Sequence, residues 1–135
     1  TLVRSGTRYN LSQAVAIAIA ADDRNARILP DVFHLFRGGS GFEGLSLLNG
    51  KVIDIIHIND YPGSKPVNEQ TDSDRVYPGD GVAPLKEVLR ELKSIGGMKV
   101  LSLELFNKAY WAQDPLVVAK TGLQKMKSLV NEIES

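Results

Sequence analysis

The chain has 135 residues, 16 Lys+Arg against 16 Asp+Glu, 43% hydrophobic residues and no cysteine, the make-up of an ordinary globular domain. The missing cysteines exclude disulfides and thiolate metal sites and favour a cytoplasmic location. A net charge of zero argues against nucleic acid as a partner, and no stretch reaches the ~18 uncharged apolar residues that a membrane partner would require.

In chain order, the polar opening TLVRSGTRYN begins at Thr1 and not Met, which agrees with a chain derived from a longer protein. Asn10 with Gln13 forms a capping-box pattern, and Leu11, Ala14, Val15, Ala18 and Ile19 share one helical face, so a helix is predicted over residues 10–23. ARILPDVFHL reads as an extended segment in which Pro30 marks an irregular strand position. Glycines 38, 39 and 41 break it, and a short helix carrying Leu45, Leu47 and Leu48 ends at Asn49-Gly50.

KVIDIIHIND is rich in β-branched residues and nearly continuously apolar, the pattern of a parallel strand buried on both faces. Pro84 then opens a helix whose stripe is Leu85, Val88, Leu89, Leu92 and Ile95, ended by Gly96-Gly97. MKVLSLELF is the next strand, with Leu101, Leu103 and Leu105 on one face and Ser102 and Glu104 on the other. Asp114 as N-cap and Pro115 at the first helical position start a closing helix with the stripe Leu116, Ala119, Leu123, Met126 and Val130.

Strands separated by helices make a parallel α/β sheet, open or closed into a barrel, and in both the ligand site lies at the carboxyl ends of the strands. Those ends carry Asp31 and His34, then His57, Asn59 and Asp60, then Glu104, and the two histidines are the only ones in the chain. A single histidine is more often a satisfied core or surface residue; two of two beside carboxylates point to a site. Asp, His and Glu donors suit a divalent ion such as Mn, Mg, Co or Zn, although Asp31 and Asp60 also read as turn residues. Glu104, between LSL and LF on a buried strand, is costly without a partner and favours a cation or a proton-transfer role over a solvated position.

The stretch YPGSKPVNEQTDSDRVYPGDG lacks apolar periodicity and exceeds the ~12–15 residues usual for a structureless loop. Arg75 within it reads either as an anion or hydroxyl ligand or as a surface charge paired with Asp72 or Asp74. RGGSG lacks the lysine and spacing of a phosphate-binding loop and reads as a tight turn. Tyr110-Trp111 either lines a pocket or simply packs.

At DVFHLFRGGS, IIHINDYPG, DRVYPGDG, PLKEVLRELKSIGG and LSLELFNKAYWAQDP the chain resembles the sugar phosphate isomerase/epimerase family with the xylose isomerase-like TIM barrel, and within it the inosose (keto-inositol) isomerases. DRVYPGDG and ELFNKAYW are the specific stretches. The resemblance implies the C-terminal part of a (β/α)8 TIM barrel, the last three strands and their helices, so that residues 1–135 are a partial domain whose N-terminal half lies elsewhere. It implies that Asp31, His57 and Glu104 are metal ligands, that Glu104 is also a catalytic acid/base, and that His34 and Arg75 contact the substrate. The fourth ligand, a Glu, would precede the helix at Asn10, and TLVRSGTRYN contains no Glu.

The implied activity is isomerisation or epimerisation of a keto sugar or keto-inositol by proton transfer through an enediolate, with a divalent metal ion as cofactor. A dehydratase using the same metal chemistry, an endonuclease IV-like repair enzyme and an inactive fragment that self-associates are the alternatives. Exposed edges of parallel strands imply a homo-oligomer or association with the missing half.

Overall fold

The computed structural model describes residues 10–134. Helix α1 (Leu11–Ala20) starts from the expected capping box: the Asn10 side chain accepts from the Gln13 amide, and the Gln13 side chain accepts from the Asn10 amide. The Leu11 amide, which the box leaves free, donates to Ser40 Oγ at 2.8 Å. The glycine-rich turn therefore acts as a second cap for α1, consistent with its reading as a tight turn. The helix ends three residues before the predicted boundary.

The extended segment is shorter than its sequence suggests. Ile28 and Asp31 make isolated parallel bridges to Ile53 and His57, and Val32–Arg37 is already helix α2. Pro30 has no amide to donate; its carbonyl accepts from His57 at 2.9 Å. Asp31 then caps α2 by accepting from the His34 amide at 3.0 Å. The leucines that follow lie on a 3-10 turn at Glu43–Leu47, with a second 3-10 turn at Gly50–Val52.

Strand β1 (Ile55–Ile58) pairs in parallel with β2 (Val100–Leu103), in the register Ile55↔Val100 to Ile58↔Leu103. β1 is not covered on both faces. Ile56 and Ile58 are buried while Ile55 is 42% exposed. Between the strands, α3 (Leu85–Ser94) buries Leu85, Val88, Leu89 and Leu92 as expected. Gly96, at φ 73°, reverses the chain, with the Gly97 and Gly96 amides returning to the Leu92 and Lys93 carbonyls, the hydrogen-bond pattern of a Schellman cap.

Beyond β2, a single helical turn α4 (Lys108–Trp111) precedes the long α5 (Pro115–Glu134). Asp114 caps α5 through the Leu116 and Val117 amides. Its buried face differs from the predicted stripe: Gly122 and Leu129 are buried, Met126 and Ile133 pack beside the core, and Leu116 and Leu123 are exposed. The reason is close approach, since a Cβ on Gly122 would lie 2.2 Å from Leu103 Cδ2. The core lies between β1 and the helices, with Phe33, Leu45, Ile53, Ile58, Leu89 and Leu92 fully buried.

Candidate metal centre

Parallel strands place their carboxyl ends side by side, and here three successive segments end at one point. Asp31, His57 and Glu104 each present a donor atom, all within 4.8 Å of one another. His57 Nδ1 lies 3.5 Å from Asp31 Oδ2 and 3.3 Å from Glu104 Oε2. The Asp31 side chain is 1% exposed and that of Glu104 31%. Glu104 is thus less enclosed than a buried-strand reading implies: His57 of β1 bridges Asp31 on one side and pairs with β2 on the other, whereas among the described residues β2 pairs with β1 alone. An imidazole nitrogen converging with two carboxylates is a donor set that fits a divalent ion of the Mn–Zn group.

Asn59 supports this cluster. It follows His57 by two positions and so projects from the same side of the extended chain. Its Nδ2 donates to both Asp31 oxygens at 3.4 and 3.3 Å and to the Glu104 carbonyl at 3.4 Å, while its Oδ1 accepts from the Phe33 amide at 3.0 Å. The i, i+2 relation to His57 was a visible signal, but it could not show that Asn59 orients Asp31.

Arg75 is a buried partner of the acidic groups and not a surface charge. Its side chain is 1% exposed. NH1 donates to Glu104 Oε2 at 2.6 Å and to Asp31 Oδ2 at 3.1 Å, and NH2 donates to Asp72 Oδ1 at 2.6 Å. The Phe33 and Phe106 ring centroids lie 5.0 and 5.2 Å from its Cζ, within range of cation–π attraction. NH2 also faces His34 Nε2 at 3.1 Å. A guanidinium only donates, so Nε2 accepts there and the ring proton lies on Nδ1.

The loop that carries Arg75 is anchored from both ends. Asp60, 1% exposed, accepts from the Tyr61 and Ala83 amides on Oδ1 and from the Gly79 and Gly81 amides on Oδ2. Its backbone exchanges two hydrogen bonds with Val76, next to Arg75. Asp60 is therefore the loop's organiser, which extends its reading as a turn residue. Burial and the Asp60 charge push the Tyr61 phenol up to about 12. Asn107 holds the Arg75 carbonyl at 3.0 Å. Tyr110 stacks on Tyr77 with centroids 4.2 Å apart, whereas Trp111 is 63% exposed.

Helices alternating with parallel strands, and a carboxylate–imidazole cluster at the strand carboxyl ends, define the class of α/β-barrel proteins whose sites lie at that face. The chain belongs to the xylose isomerase-like TIM barrel family, whose model matches residues 3–129. It is 36% identical over 126 residues to an inosose isomerase of Bacillus velezensis, covering 93% of this chain and 45% of that protein. An inosose isomerase of Bacillus subtilis is 38% identical over 117 residues, covering 84% of this chain and 42% of that one. The chain thus spans less than half the length of these curated relatives.

Among solved structures, that of the IolI protein with a bound zinc atom superposes with a TM-score of 0.85 at 33% identity, covering 92% of this chain and 44% of that one. A xylose isomerase-like TIM barrel/4-hydroxyphenylpyruvate dioxygenase fusion protein shares the fold, with a TM-score of 0.79 at 23% identity over 92% of this chain and 20% of that one. Among the described residues, no helix is long and apolar enough to cross a membrane.

Proposed function

We propose that the chain is the closing part of a divalent-metal-dependent isomerase or epimerase of a keto sugar or keto-inositol. On this reading residues 1–135 form the last three strands of one barrel with their helices, and the remaining strands and a fourth ligand come from another segment of the protein. The observation that carries the proposal is the convergence of Asp31, His57 and Glu104 at three neighbouring strand ends. The inosose isomerases among the relatives support the substrate class.

Asp31, His57 and Glu104 would hold the ion, which supplies Lewis-acid polarisation of a carbonyl and its neighbouring hydroxyl when bound. Asn59 orients Asp31 for that role, since both carboxylate oxygens face its Nδ2. Glu104 is the acid/base group of this chain: a carboxylate partly open to the site accepts a carbon-bound proton and returns it. The return position separates isomerisation from epimerisation. His34 contacts substrate hydroxyls through the ring that Arg75 orients, while Arg75, with its side chain 1% exposed, acts on the substrate through His34 and the two carboxylates. Phe33 and Phe106 exclude water from the guanidinium and so strengthen its polar contacts.

Metal content of the full-length protein tests the ligand assignment. Stoichiometric divalent metal is expected in the wild type and its loss in Asp31→Ala; unchanged binding in the variant would contradict the assignment. Deuterium uptake from heavy water into an added keto-inositol is expected to fall at least ~100-fold in Glu104→Gln, and persistence of wash-in would remove Glu104 from the proton path.

A further inference from the structure

The protein's own cation sits on the atoms offered to a metal. Arg75 NH1 donates to Glu104 Oε2 at 2.6 Å and to Asp31 Oδ2 at 3.1 Å, and these are the same two oxygens that face His57 Nδ1. The guanidinium has nowhere dry to retreat. Its other nitrogen is held by Asp72 at 2.6 Å and lies against His34 at 3.1 Å, and aromatic rings lie within 5.2 Å of its Cζ. Among the described residues, Nε is buried without a hydrogen-bond partner. A cation this enclosed stays paired with its carboxylates because an unpaired buried charge is strongly disfavoured.

We infer that Arg75 is an internal counter-cation that competes with the divalent ion for Asp31 and Glu104, and that Asp72 sets the strength of the competition by drawing the guanidinium towards itself. This rests on the metal-dependent reading above and adds a determinant of affinity to it. Without metal, Arg75 neutralises carboxylates that would otherwise repel each other across the site. With metal, a fixed positive charge remains beside a doubly positive one, which weakens the binding of the latter. Asp72 opposes that effect, since its carboxylate shares the guanidinium charge and its side chain is 36% exposed at the site's rim.

The two residues therefore shift metal affinity in opposite directions. A purely scaffolding Arg75 would behave otherwise, because losing a scaffold loosens the ligands and weakens binding. Removing a competitor tightens it.

The test is divalent-ion titration by calorimetry, with Mn and Zn salts, on the full-length wild type, Arg75→Met and Asp72→Asn, alongside melting of the metal-free proteins. Arg75→Met is expected to bind metal about tenfold more tightly and to melt lower without metal, and Asp72→Asn to bind several-fold more weakly. Equal or weaker binding by a folded Arg75→Met would overturn the inference. Should Arg75→Met not fold, unchanged affinity in Asp72→Asn overturns it. Absence of metal binding in the wild type itself would instead sink the metal-dependent reading, and the inference with it.

Discussion

In the loop of residues 61–83, Gln70 and Arg75 are each 1% exposed, whereas Ile17 and Ile19 of helix α1 are 71% and 73% exposed. The loop has no regular structure beyond the 3-10 turn Asp72–Asp74, yet Gln70 and Arg75 are buried in it, and Lys65, Asp72 and Asp74 are half-buried and specifically bonded. Gln70 Nε2 donates to the Pro62 and Lys65 carbonyls, Asp74 accepts from Lys65 and Thr71, and Asp60 gathers four amides. The helix is capped and internally bonded but leaves Ala16, Ile17, Ile19 and Ala20 in solvent. Order in the loop thus rests on directional polar bonds, with Gln70 Oε1 and Arg75 Nε the buried side-chain atoms left without a partner among the described residues, while order in α1 rests on its cap, on buried Leu11 and on Ala14, Val15 and Ala18 packed beside the core. The difference has a functional sense: the loop must hold Arg75 to a fixed geometry, and directional bonds do that better than apolar contact.

The sharpest way to break the comparison is to remove the loop's organiser. Asp60→Ala would leave the amides of Tyr61, Gly79, Gly81 and Ala83 without their acceptor, and a loss of about 3–5 kcal/mol is expected from several stranded buried donors. Urea unfolding of wild type and variant measures it. A loss below about 1 kcal/mol would mean that water replaces the carboxylate and that the loop holds itself by other contacts. A tighter substitution tells the same story from the other side, since a Cβ on Gly81 would lie 2.3 Å from both Asp60 Oδ1 and the Tyr61 carbonyl oxygen.

The second test uses pH. Tyr61 stacks on Phe36 with centroids 3.7 Å apart, and its phenol is raised from 10 to about 12 by burial first and the Asp60 charge second. Because the folded-state value lies above the unfolded one, the neutral phenol's contribution is fully present below pH 10 and is lost as pH rises towards 12. Stability of the wild type should therefore fall more steeply across that window than stability of Tyr61→Phe. Parallel curves would show that the phenol is already solvated.

Much of the fold is legible because its signals are local. Asn10 and Gln13, Gly96 and Asp114-Pro115 each act within one helical turn and do what their residue types require, while Pro84 stands one position before the helix it is predicted to open, as its N-cap, with its carbonyl accepting from the Val88 amide. The helix at Val32–Arg37 is not legible, because VFHLFR is apolar enough for either period and the switch depends on Asp31 capping it. The α5 face is misread for a different reason. A stripe built from apolar side chains passes over Gly122, whose lack of a side chain is what lets the helix meet Leu103.

The candidate site divides along the same line. Its donor residues are visible at the strand ends, since parallel strands bring their carboxyl ends together whatever the detail. The partners are not. Arg75 has both Asp72 and Asp74 within three positions in sequence, but Lys65 takes Asp74 and leaves Asp72 to the guanidinium. Its remaining partners, Asp31, His34 and Glu104, come from segments 44, 41 and 29 positions away. No local pattern encodes such a meeting, and only the assembled strands create it.

The smallest expected effect lies on the helix side of the comparison. Ile19→Ser replaces a side chain that is 73% exposed, so the lost burial is slight and the change in stability should stay within about 0.5 kcal/mol. Serine is also a somewhat poorer helix residue in the last turns of α1, but by only a few tenths of a kcal/mol relative to isoleucine. Chemical unfolding of the full-length protein decides the point. A loss of about 2 kcal/mol or more would equal the burial of a whole isoleucine side chain and would mean that another surface of the protein covers this face of α1. In that case the contrast with the loop disappears, because both regions would then be fixed by enclosure and only the chemistry of the enclosing contacts would differ.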